Sequence, residues 1–446
     1  MQSECKTISY PNGEFQRFQV VRWDRWEALE FLTPVHSPEA LDCFADIYRN
    51  YLIPAAPMIF GHMVLFQLPG DLSVELLTNT RQHGSVASPL TAAAAALQEG
   101  VSIRGSKAVF HSEAAKQLWS ALEEKDCIRM VSGYLPTTKF IPVTNIPGYL
   151  SQSAPDAVLK VNASFFIMDS FDCATVHDHL GIPFGLCVKD GQVLHPPLYN
   201  REALLVGQNG DICIRQMDVT DLELEIDGHV FRHEKNADLY SRPERLRAPG
   251  GKKTYLIITG CRVAAVSDRP TAIPASGFVI CPHEDVDIPP GAKVRYRGLE
   301  SVRFGIQVGN SILKDGIPTK GFVSRFYNIR HLEPIPYPPS LYPMDFHKAR
   351  AARVALGADS QGKPVLVWAE GAAKLGYVPG QGSCGASLKE LAEICTQAGM
   401  KNAVNLDGGG SAQILLSGRR TLQISDRDAH SLSEAERPVP LGLVIR

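Results

Sequence analysis

The chain has 446 residues, of which 44% are hydrophobic and 21% charged, and its formal net charge is −2 at pH 7. This composition is ordinary for a globular protein with a sizeable core, and the length predicts two or three domains, or one large domain with an appendage. The near-neutral charge excludes bulk electrostatic binding to nucleic acid or anionic lipid, although a few local arginines can still bind a small anionic substrate.

The N-terminal segment is polar and is not followed by an apolar region, so we predict no signal peptide. The most apolar stretch, 51–66, is interrupted by prolines and is too short to span a bilayer. The ten cysteines are scattered without a Cys-x-x-Cys pair, which is typical of reduced thiols rather than of disulfides or a zinc site. We therefore expect a cytoplasmic protein with no membrane partner.

Residues 1–130 differ from the rest of the chain in the pattern of their apolar residues. The segments 37–51 and 112–124 show helical spacing of apolar residues, and the alanine run 92–96 favours a helix. No chemical motif falls in this part. We predict an N-terminal appendage of unknown role, either mixed α/β or helical, with a cap over the site as one possible role.

From residue 131 onward, short β-like runs alternate with turn signals such as Asp190-Gly191 and Asp315-Gly316. This pattern predicts a second domain over 131–446 that is rich in strands. The predicted strands are 157–161, 184–188, 203–207, 254–259, 278–281, 301–308, 353–357, 364–368 and 403–406.

The clearest helix is predicted over 387–398. Ser387 can act as its N-cap, Glu390 completes a capping box, and Gly399 is a suitable residue to end it. Together these elements predict an α+β fold class. The second domain would have a mixed or antiparallel β-sheet core with flanking helices, joined to the N-terminal α/β appendage.

The segment 405–411 reads Asn-Leu-Asp-Gly-Gly-Gly-Ser and joins the strand 403–406 to a second apolar run, 414–416. Asp407 therefore falls at a strand end, and the three glycines after it have few steric limits. The N–H groups of such a loop can form a concave site for phosphate or another anion. A carboxylate beside an anion site suits cleavage of a bond next to a phosphate. An ordinary β-turn is the structural alternative.

The segment 403–413, AVNLDGGGSAQ, resembles the signature of the phosphodiester glycosidase family. Other segments are similar to further parts of the family pattern in the same order, so the resemblance extends over about 150–446. They are 161–166 (VNASFF), 183–193 (PFGLCVKDGQV), 238–241 (DLYS), 308–316 (VGNSILKDG), 353–357 (RVALG), 387–392 (SLKELA) and 436–439 (ERPV). The resemblance implies a hydrolase that cleaves the glycosidic bond of a sugar 1-phosphodiester, giving a free sugar and a phosphomonoester.

The chain departs from the family pattern at several positions. Ser164 stands where the family usually has glycine, Val354 where it has threonine, and Asp227 where asparagine is common. From its polar N-terminal segment we also expect the chain to lack the family's usual export signal. These departures bear on the identity of the sugar more than on the fold.

Hydrolysis at the anomeric carbon needs a carboxylate that activates water or faces the oxocarbenium-like carbon. Asp407 is the first choice for this role, with a structural cap of the glycine loop as its alternative. Glu436 is a reserve second carboxylate. The leaving phosphomonoester also needs its charge bound, and the guanidinium fork of Arg353 suits phosphate. The predicted substrate- and phosphate-binding residues are Asn162, Arg353, Asn405, Gly408, Gly409, Gly410, Ser411 and Arg437.

The sequence requires no cofactor. His177-Asp178-His179 has metal-like chemistry, so a divalent metal remains an alternative, but clusters of this kind are unsurprising among thirteen histidines. A basic stretch that includes Lys252 and Lys253 is interpreted as a solvated loop or as a rim that attracts an anionic substrate. The expected partner is a small sugar phosphate, with no nucleic acid, and the sequence leaves a homo-oligomer open.

Three other functions compete with the hydrolase. The segment 380–385 matches the Gly-x-Gly-x-x-Gly pattern of dinucleotide-binding folds, but the preceding predicted strand ends well before it and Ser387 begins the helix after it. An NAD-dependent oxidoreductase is therefore the least favoured alternative. The others are a different reaction on a phosphorylated sugar or nucleoside in a specialised biosynthetic pathway, and a non-catalytic sugar-phosphate binding protein.

Overall fold

The computed structural model describes residues 1–32, 150–152, 154–166, 183–198, 200–241, 248–271, 273–274, 277–320, 348–428, 431–437, 439 and 441–446. Between them, six short strands are described by their backbone alone, at 63–68, 71–76, 101–104, 107–111, 129–130 and 138–140. The helices predicted over 37–51 and 112–124, the alanine run 92–96 and the histidine cluster 177–179 lie outside these residues.

The N-terminal residues form three strands, and the six strands described by their backbone form one separate sheet in the order β6-β7-β5-β4-β9-β8. These nine strands are β1 (Gln2–Ser9), β2 (Phe15–Arg22), β3 (Leu29–Leu32), β4 (Met63–Leu68), β5 (Asp71–Leu76), β6 (Val101–Arg104), β7 (Lys107–His111), β8 (Arg129–Met130) and β9 (Thr138–Phe140).

The middle of the chain continues with short strands joined mostly by hairpins. They are β10 (Leu159–Asn162), β11 (Cys187–Lys189), β12 (Gln192–His195), β13 (Arg201–Gly207), β14 (Ile212–Met217), β15 (Glu223–Ile226), β16 (His229–Arg232), β17 (Ala237–Ser241), β18 (Tyr255–Thr259), β19 (Arg262–Ser267), β20 (Phe278–Pro282), β21 (Val294–Tyr296), β22 (Val302–Gln307), β23 (Ser311–Lys314) and β24 (Ile317–Pro318).

The C-terminal part holds the α-helix of the described residues and the last five strands. They are β25 (Arg353–Asp359), β26 (Pro364–Ala369), α1 (Leu388–Gln397), β27 (Met400–Asn405), β28 (Ile414–Leu416) and β29 (Gly442–Ile445). Short 3-10 turns occur at Trp26–Ala28, Leu150–Gln152, Val219–Asp221 and Gly409–Ser411.

The prediction of an α+β fold with helices flanking the sheets is wrong. The described residues form mostly antiparallel sheets, and α1 is the single α-helix among them. The reason lies in the connections, because antiparallel strands can be joined by tight hairpins and need no crossover helix. At Asp190-Gly191 and at Asp315-Gly316 both residues have positive φ, as such hairpin turns require, so these two predicted turns are confirmed.

Two sheets position the region around Asp407. A seven-stranded sheet runs β1-β2-β26-β25-β27-β23-β24, and a four-stranded sheet runs β28-β10-β29-β3. The N-terminal strands therefore belong to the same sheets as the C-terminal ones, since β2 pairs with β26 and β3 with β29. The boundary predicted near residue 130 stays a prediction.

The remaining sheets lie within residues 187–307. They run β12-β11-β22-β13-β14, β16-β15-β21 and β17-β20-β18-β19. Their inner faces form an apolar cluster of their own, built from residues such as Leu205, Ile258 and Phe278. None of the described helices is long and apolar enough to cross a membrane.

The helix predicted over 387–398 is confirmed as α1. The Ser387 hydroxyl accepts a hydrogen bond from the Glu390 main-chain N–H over 3.2 Å, and the Glu390 carboxylate accepts one from the Ser387 N–H over 2.8 Å. Gly399 follows with φ +76°, a conformation that glycine adopts without a Cβ penalty. The buried face of α1 packs on the seven-stranded sheet.

Candidate functional site

The glycine loop lies where the two sheets meet. β27 ends at Asn405, and the main-chain N–H of Asp407 donates to the oxygen of Ala163, just beyond β10, over 3.0 Å. The N–H of Gly409 donates to the oxygen of Ala352, just before β25, over 2.8 Å. The loop is thus fixed from both sheets.

Asn162 joins the two ends of this loop. Its side-chain N–H donates to the main-chain oxygen of Asp407 over 2.7 Å, and its side-chain oxygen accepts from the Gln413 N–H over 3.0 Å. Asn162 is buried, so both bonds are shielded from water and costly to leave unmade. The sequence analysis grouped Asn162 with Asp407 as site residues. In the structure the two are in contact, and the contact is between the Asn162 side chain and the Asp407 main chain.

The carboxyl group of Asp407 points back over the loop. It accepts a hydrogen bond from the Gly408 N–H over 2.8 Å and another from the Ser411 hydroxyl. Desolvation raises its pKa from 3.8 to about 6, against the opposing effects of the Ser411 bond, of Arg437, of the Gly408 N–H and of Arg353. A carboxyl group of this kind can hold or release a proton near neutral pH.

Arg353 begins β25 and is 4% exposed. Its Nε donates to the oxygen of Ala386 over 3.1 Å, and its Nη2 donates to the oxygen of Ala349 over 2.9 Å. These two neutral acceptors fix the guanidinium on the α1 side of the sheet, and its positive charge lies close enough to lower the pKa of Asp407. The predicted grouping of Arg353 with Asp407 therefore holds in space.

Glycine is needed in the loop for space. A Cβ atom on Gly408 would lie 2.7 Å from the oxygen of Ala352. A Cβ atom on Gly410 would lie 2.2 Å from a carboxylate oxygen of Asp426 and 2.3 Å from Nη2 of Arg437. Gly409 has open space around its Cβ position but a φ of +59°. The loop thus passes closer to a charged pair than a side chain would allow.

Arg437, a predicted anion-binding residue, lies beside the loop. Its Nε and Nη2 each reach the same carboxylate oxygen of Asp426, over 2.9 and 2.8 Å, and its Nη1 lies 3.4 Å from the Ser411 hydroxyl. The Lys374 ammonium group lies 2.6 Å from the other oxygen of Asp426. One carboxylate therefore sits between two cations at the edge of the loop.

Asn405 is fully buried, and neither polar atom of its side chain has a hydrogen-bond partner in the structure. It pairs with Ala355 across the sheet and so projects toward the α1 side, the side that carries Arg353. A buried amide without partners is costly, and the assignment of Asn405 as a binding residue stays a prediction.

Glu436 has other partners. One of its carboxylate oxygens accepts from the Ser151 N–H over 2.9 Å, and the other forms an ion pair with Arg420 over 2.5 Å. These contacts explain Glu436 as a structural anchor of the C-terminal segment. Its assignment as a second carboxylate of the reaction stays a prediction.

Sequence reasoning missed Asp426 and Lys374. Both lie on irregular segments, and no spacing rule connects Asp426 to Arg437 or to the glycine loop. The only available signal was the density of charged residues around 426–437. Asp426 nevertheless lies against two predicted site positions, Gly410 and Arg437.

Other predicted sites fare differently. Within the described residues, no group of three His, Cys, Asp or Glu side chains could hold a metal ion. Lys252 and Lys253 form ion pairs with Asp238 and Asp285 on the surface of another sheet. Around 380–385, β26 ends at Ala369 and α1 begins only after Ser387, which is not the strand–glycine–helix arrangement of a dinucleotide fold.

Comparison with known proteins gives the class of this domain. The sequence profile of the family described as phosphodiester glycosidase matches residues 221–446, just over half of the chain. The chain belongs to the phosphodiester glycosidase family. The matched region contains Arg353, the glycine loop and Arg437, whereas Asn162 lies before it.

Curated relatives match over a short region. The N-acetylglucosamine-1-phosphodiester alpha-N-acetylglucosaminidases of Mus musculus and Homo sapiens are 34% and 35% identical over 94 and 89 residues. These regions cover 21% and 20% of this chain and 17% and 16% of the relatives. The chain thus spans about a sixth of the length of these relatives.

Two solved structures are also similar. A hypothetical protein from Synechocystis matches with a TM-score of 0.42 at 16% identity, over 86% of this chain and 61% of that one. The zebrafish N-acetylglucosamine-1-phosphodiester alpha-N-acetylglucosaminidase catalytic domain, auto-inhibited by its pro-peptide, matches with a TM-score of 0.34 at 15% identity, over 68% of each chain.

Proposed function

We propose that this protein hydrolyses the glycosidic bond of a sugar 1-phosphodiester, giving a free sugar and a phosphomonoester. The observation that carries the proposal is the Asp407 carboxyl group, whose pKa of about 6 is set in a glycine loop beside two guanidinium groups. Membership of the phosphodiester glycosidase family supports the same chemistry.

In the proposed reaction the ionised Asp407 accepts a proton from a water molecule, whose oxygen attacks the anomeric carbon. The bond between that carbon and the bridging oxygen breaks, and its electron pair leaves with the phosphomonoester. A base with a pKa near the working pH is suited to this transfer, and such catalysis typically contributes about 10²–10⁴-fold to the rate. The Gly408 N–H and Ser411 hydroxyl hold the carboxyl group in one orientation.

The positive charges near Asp407 suit the other product. Arg353 and Arg437 both act electrostatically on Asp407, and the same field stabilises the negative charge that grows on the departing phosphate. Because a phosphomonoester is already a good leaving group, charge stabilisation is needed more than a strong general acid. The proposed mechanism therefore needs no second catalytic carboxylate. The contacts that anchor Glu436 to Ser151 and Arg420 are consistent with a mechanism that does not use it.

The alternatives make different products. A binding protein on this fold would retain a sugar phosphate without turnover, and an ordinary phosphodiesterase would break a P–O bond. Neither explains why a carboxyl group with a raised pKa stands beside two guanidinium groups. We propose a small sugar phosphodiester as substrate and a cytoplasmic location for the reaction.

The proposal is tested with a panel of sugar 1-phosphodiesters and nucleotide sugars, with both products followed by mass spectrometry. The wild-type protein is compared with Asp407→Asn, Arg353→Ala and Arg446→Ala. Arg446 pairs with Glu30 and Asp156, away from the loop, and serves as the matched arginine control. We expect turnover by the wild type and the control and strong losses in the other two variants. Full activity of Asp407→Asn on a substrate of this class would overturn the mechanism.

A further inference from the structure

Asp426 is a carboxylate that links the glycine loop to two cations, Arg437 and Lys374. It is half-buried, receives two nitrogens of Arg437 on one oxygen, and meets Lys374 with the other. Its main-chain oxygen accepts a hydrogen bond from the Ala435 N–H over 3.1 Å. The segment that carries Arg437 is therefore fastened to Asp426 through both main chain and side chain.

The glycine loop is built around this ion pair. The space that a Cβ atom of Gly410 would need is filled by both carboxylate oxygens of Asp426 and by Nη2 of Arg437. Gly410 is buried, as is Ser411 next to it. The loop therefore follows the surface of the Asp426–Arg437 pair, and any shift of that pair would open a gap beneath Gly410.

The geometry also fixes what Arg437 can reach. With Nε and Nη2 turned toward Asp426, Nη1 is the nitrogen that faces Ser411, at 3.4 Å. Ser411 in turn donates to the Asp407 carboxylate. The chain of contacts runs from Asp426 through Arg437 and Ser411 to Asp407, and each step joins side chains that are wholly or mostly buried.

We propose that Asp426 is a positioning residue, which holds the Arg437 guanidinium against Ser411 and so presents its positive charge to Asp407 and to an anion bound beside it. For the reaction this inference rests on the proposed function. The positioning itself can be measured without any substrate, because Asp407 reports the electrostatic field around it. Arg437 and Arg353 are the charged groups with the largest effects on the pKa of Asp407.

The test is a titration of the Asp407 side-chain carboxyl carbon by ¹³C NMR in the substrate-free protein. Asp426→Asn keeps an oxygen acceptor for Arg437 but removes a negative charge, so the midpoint of Asp407 should fall. Asp426→Ala removes the acceptor as well. If Arg437 then leaves its place, Asp407 loses the positive charge that lowers its pKa most, and the midpoint should rise. Opposite shifts in the two variants are the expected signature.

Two further variants calibrate the titration. Arg437→Met removes the guanidinium outright and should raise the midpoint of Asp407, by about as much as Asp426→Ala or more. Asp428→Ala removes a carboxylate two residues away that accepts from Ser431, and should leave the midpoint unchanged. A fall of the midpoint in Asp426→Ala as large as in Asp426→Asn would overturn the proposal, because Arg437 would then stay in place without Asp426.

Enzyme kinetics provide a second test of the positioning role of Asp426. If Asp426 acts through Arg437, then Asp426→Ala should lower kcat/KM about 10–100-fold in the wild-type background but less than about twofold in an Arg437→Met background. Asp426→Glu should restore a large part of the activity. Independent, additive losses would contradict the positioning role. A wild-type protein inactive on the whole substrate panel would count against the proposed function only, and the NMR titration would still decide the role of Asp426.

Discussion

The side-chain amide of Asn162 donates a hydrogen bond to the main-chain oxygen of Asp407 over 2.7 Å, across 245 residues of sequence. The same amide accepts from the Gln413 N–H at the far end of the glycine loop. One buried side chain of the four-stranded sheet thus fixes both ends of a loop that begins at the end of the seven-stranded sheet. The position of the Asp407 carboxyl group depends on these two hydrogen bonds of Asn162.

Replacing Asn162 with alanine should destabilise the protein. The change leaves a buried acceptor on Asp407 and a buried donor on Gln413 without partners, and each such group costs about 1–3 kcal/mol. We expect the free energy of unfolding to fall by about 2–5 kcal/mol in urea titrations. Asn12 is exposed, so Asn12→Ala, which removes contacts with Glu14 on the β1–β2 turn, should cost under about 0.5 kcal/mol. Equally small losses of unfolding free energy in both variants would contradict the proposed role of Asn162 in holding the two ends of the loop.

Replacing Asp407 with asparagine should stabilise the protein at high pH while removing its activity. The folded-state pKa of Asp407 is raised from 3.8 to about 6, so the folded protein binds this proton more tightly than the unfolded chain does. The stability that comes from the protonated form is present below about pH 4 and is lost as the pH rises through about 6. Asparagine does not ionise and avoids that loss.

Chemical unfolding at two pH values measures this effect. Asp407→Asn should exceed the wild type by about 1–3 kcal/mol at pH 8, and the difference should shrink toward zero at pH 4. A difference that grows as the pH falls would mean that the pKa of Asp407 is lowered, not raised. At pH 7 we expect kcat to drop about 10²–10⁴-fold.

The pH dependence of kcat/KM should show an acid limb with a midpoint near 6, because the proposed base must be ionised. Arg437→Met should move this midpoint to higher pH, since the positive charge of Arg437 lowers the pKa of Asp407. Arg446→Met is the matched control and should leave the limb in place. If the midpoint of the acid limb does not change in Arg437→Met, the limb reports the ionisation of a group other than Asp407.

Gly410→Ala should abolish most activity, because its Cβ atom would collide with Asp426 and Arg437 at 2.2–2.3 Å. Gly418→Ala is the comparison: Gly418 has φ +78° but open space around its Cβ position, so it carries only backbone strain, about 1 kcal/mol. Melting temperatures and kcat/KM of both variants separate the two costs. Similar activity in the two variants would show that the close approach at Gly410 does not matter.

Local patterns predicted several elements correctly. The capping box of Ser387 and Glu390, the aspartate–glycine hairpin turns and the strand that ends before Asp407 all follow from short-range chemistry that sequence displays directly. The family resemblance then supplied what spacing alone does not, namely that Asn162 and Arg353 belong with Asp407. Both lie beside the loop.

Features that depend on distant pairing were not predictable in this way. β2 pairs with β26 through residues about 350 positions apart, and nothing in the local alternation of β2 identifies that partner. The prediction of flanking helices was wrong because antiparallel strands can be joined by tight hairpins and need no crossover helix. Asp426 was missed because its role depends on Arg437 and Gly410, which meet it only in the folded chain.

Hydrolysis in ¹⁸O-labelled water tests the central claim most directly. A sugar 1-phosphodiester is turned over to a small extent, and the phosphomonoester is analysed at once by mass spectrometry. If water attacks the anomeric carbon with Asp407 as base, the phosphomonoester carries no label, and the oxygen from water is found on the sugar. Label in the phosphomonoester would show that the P–O bond breaks, and would contradict the assignment of this protein as a glycosidase.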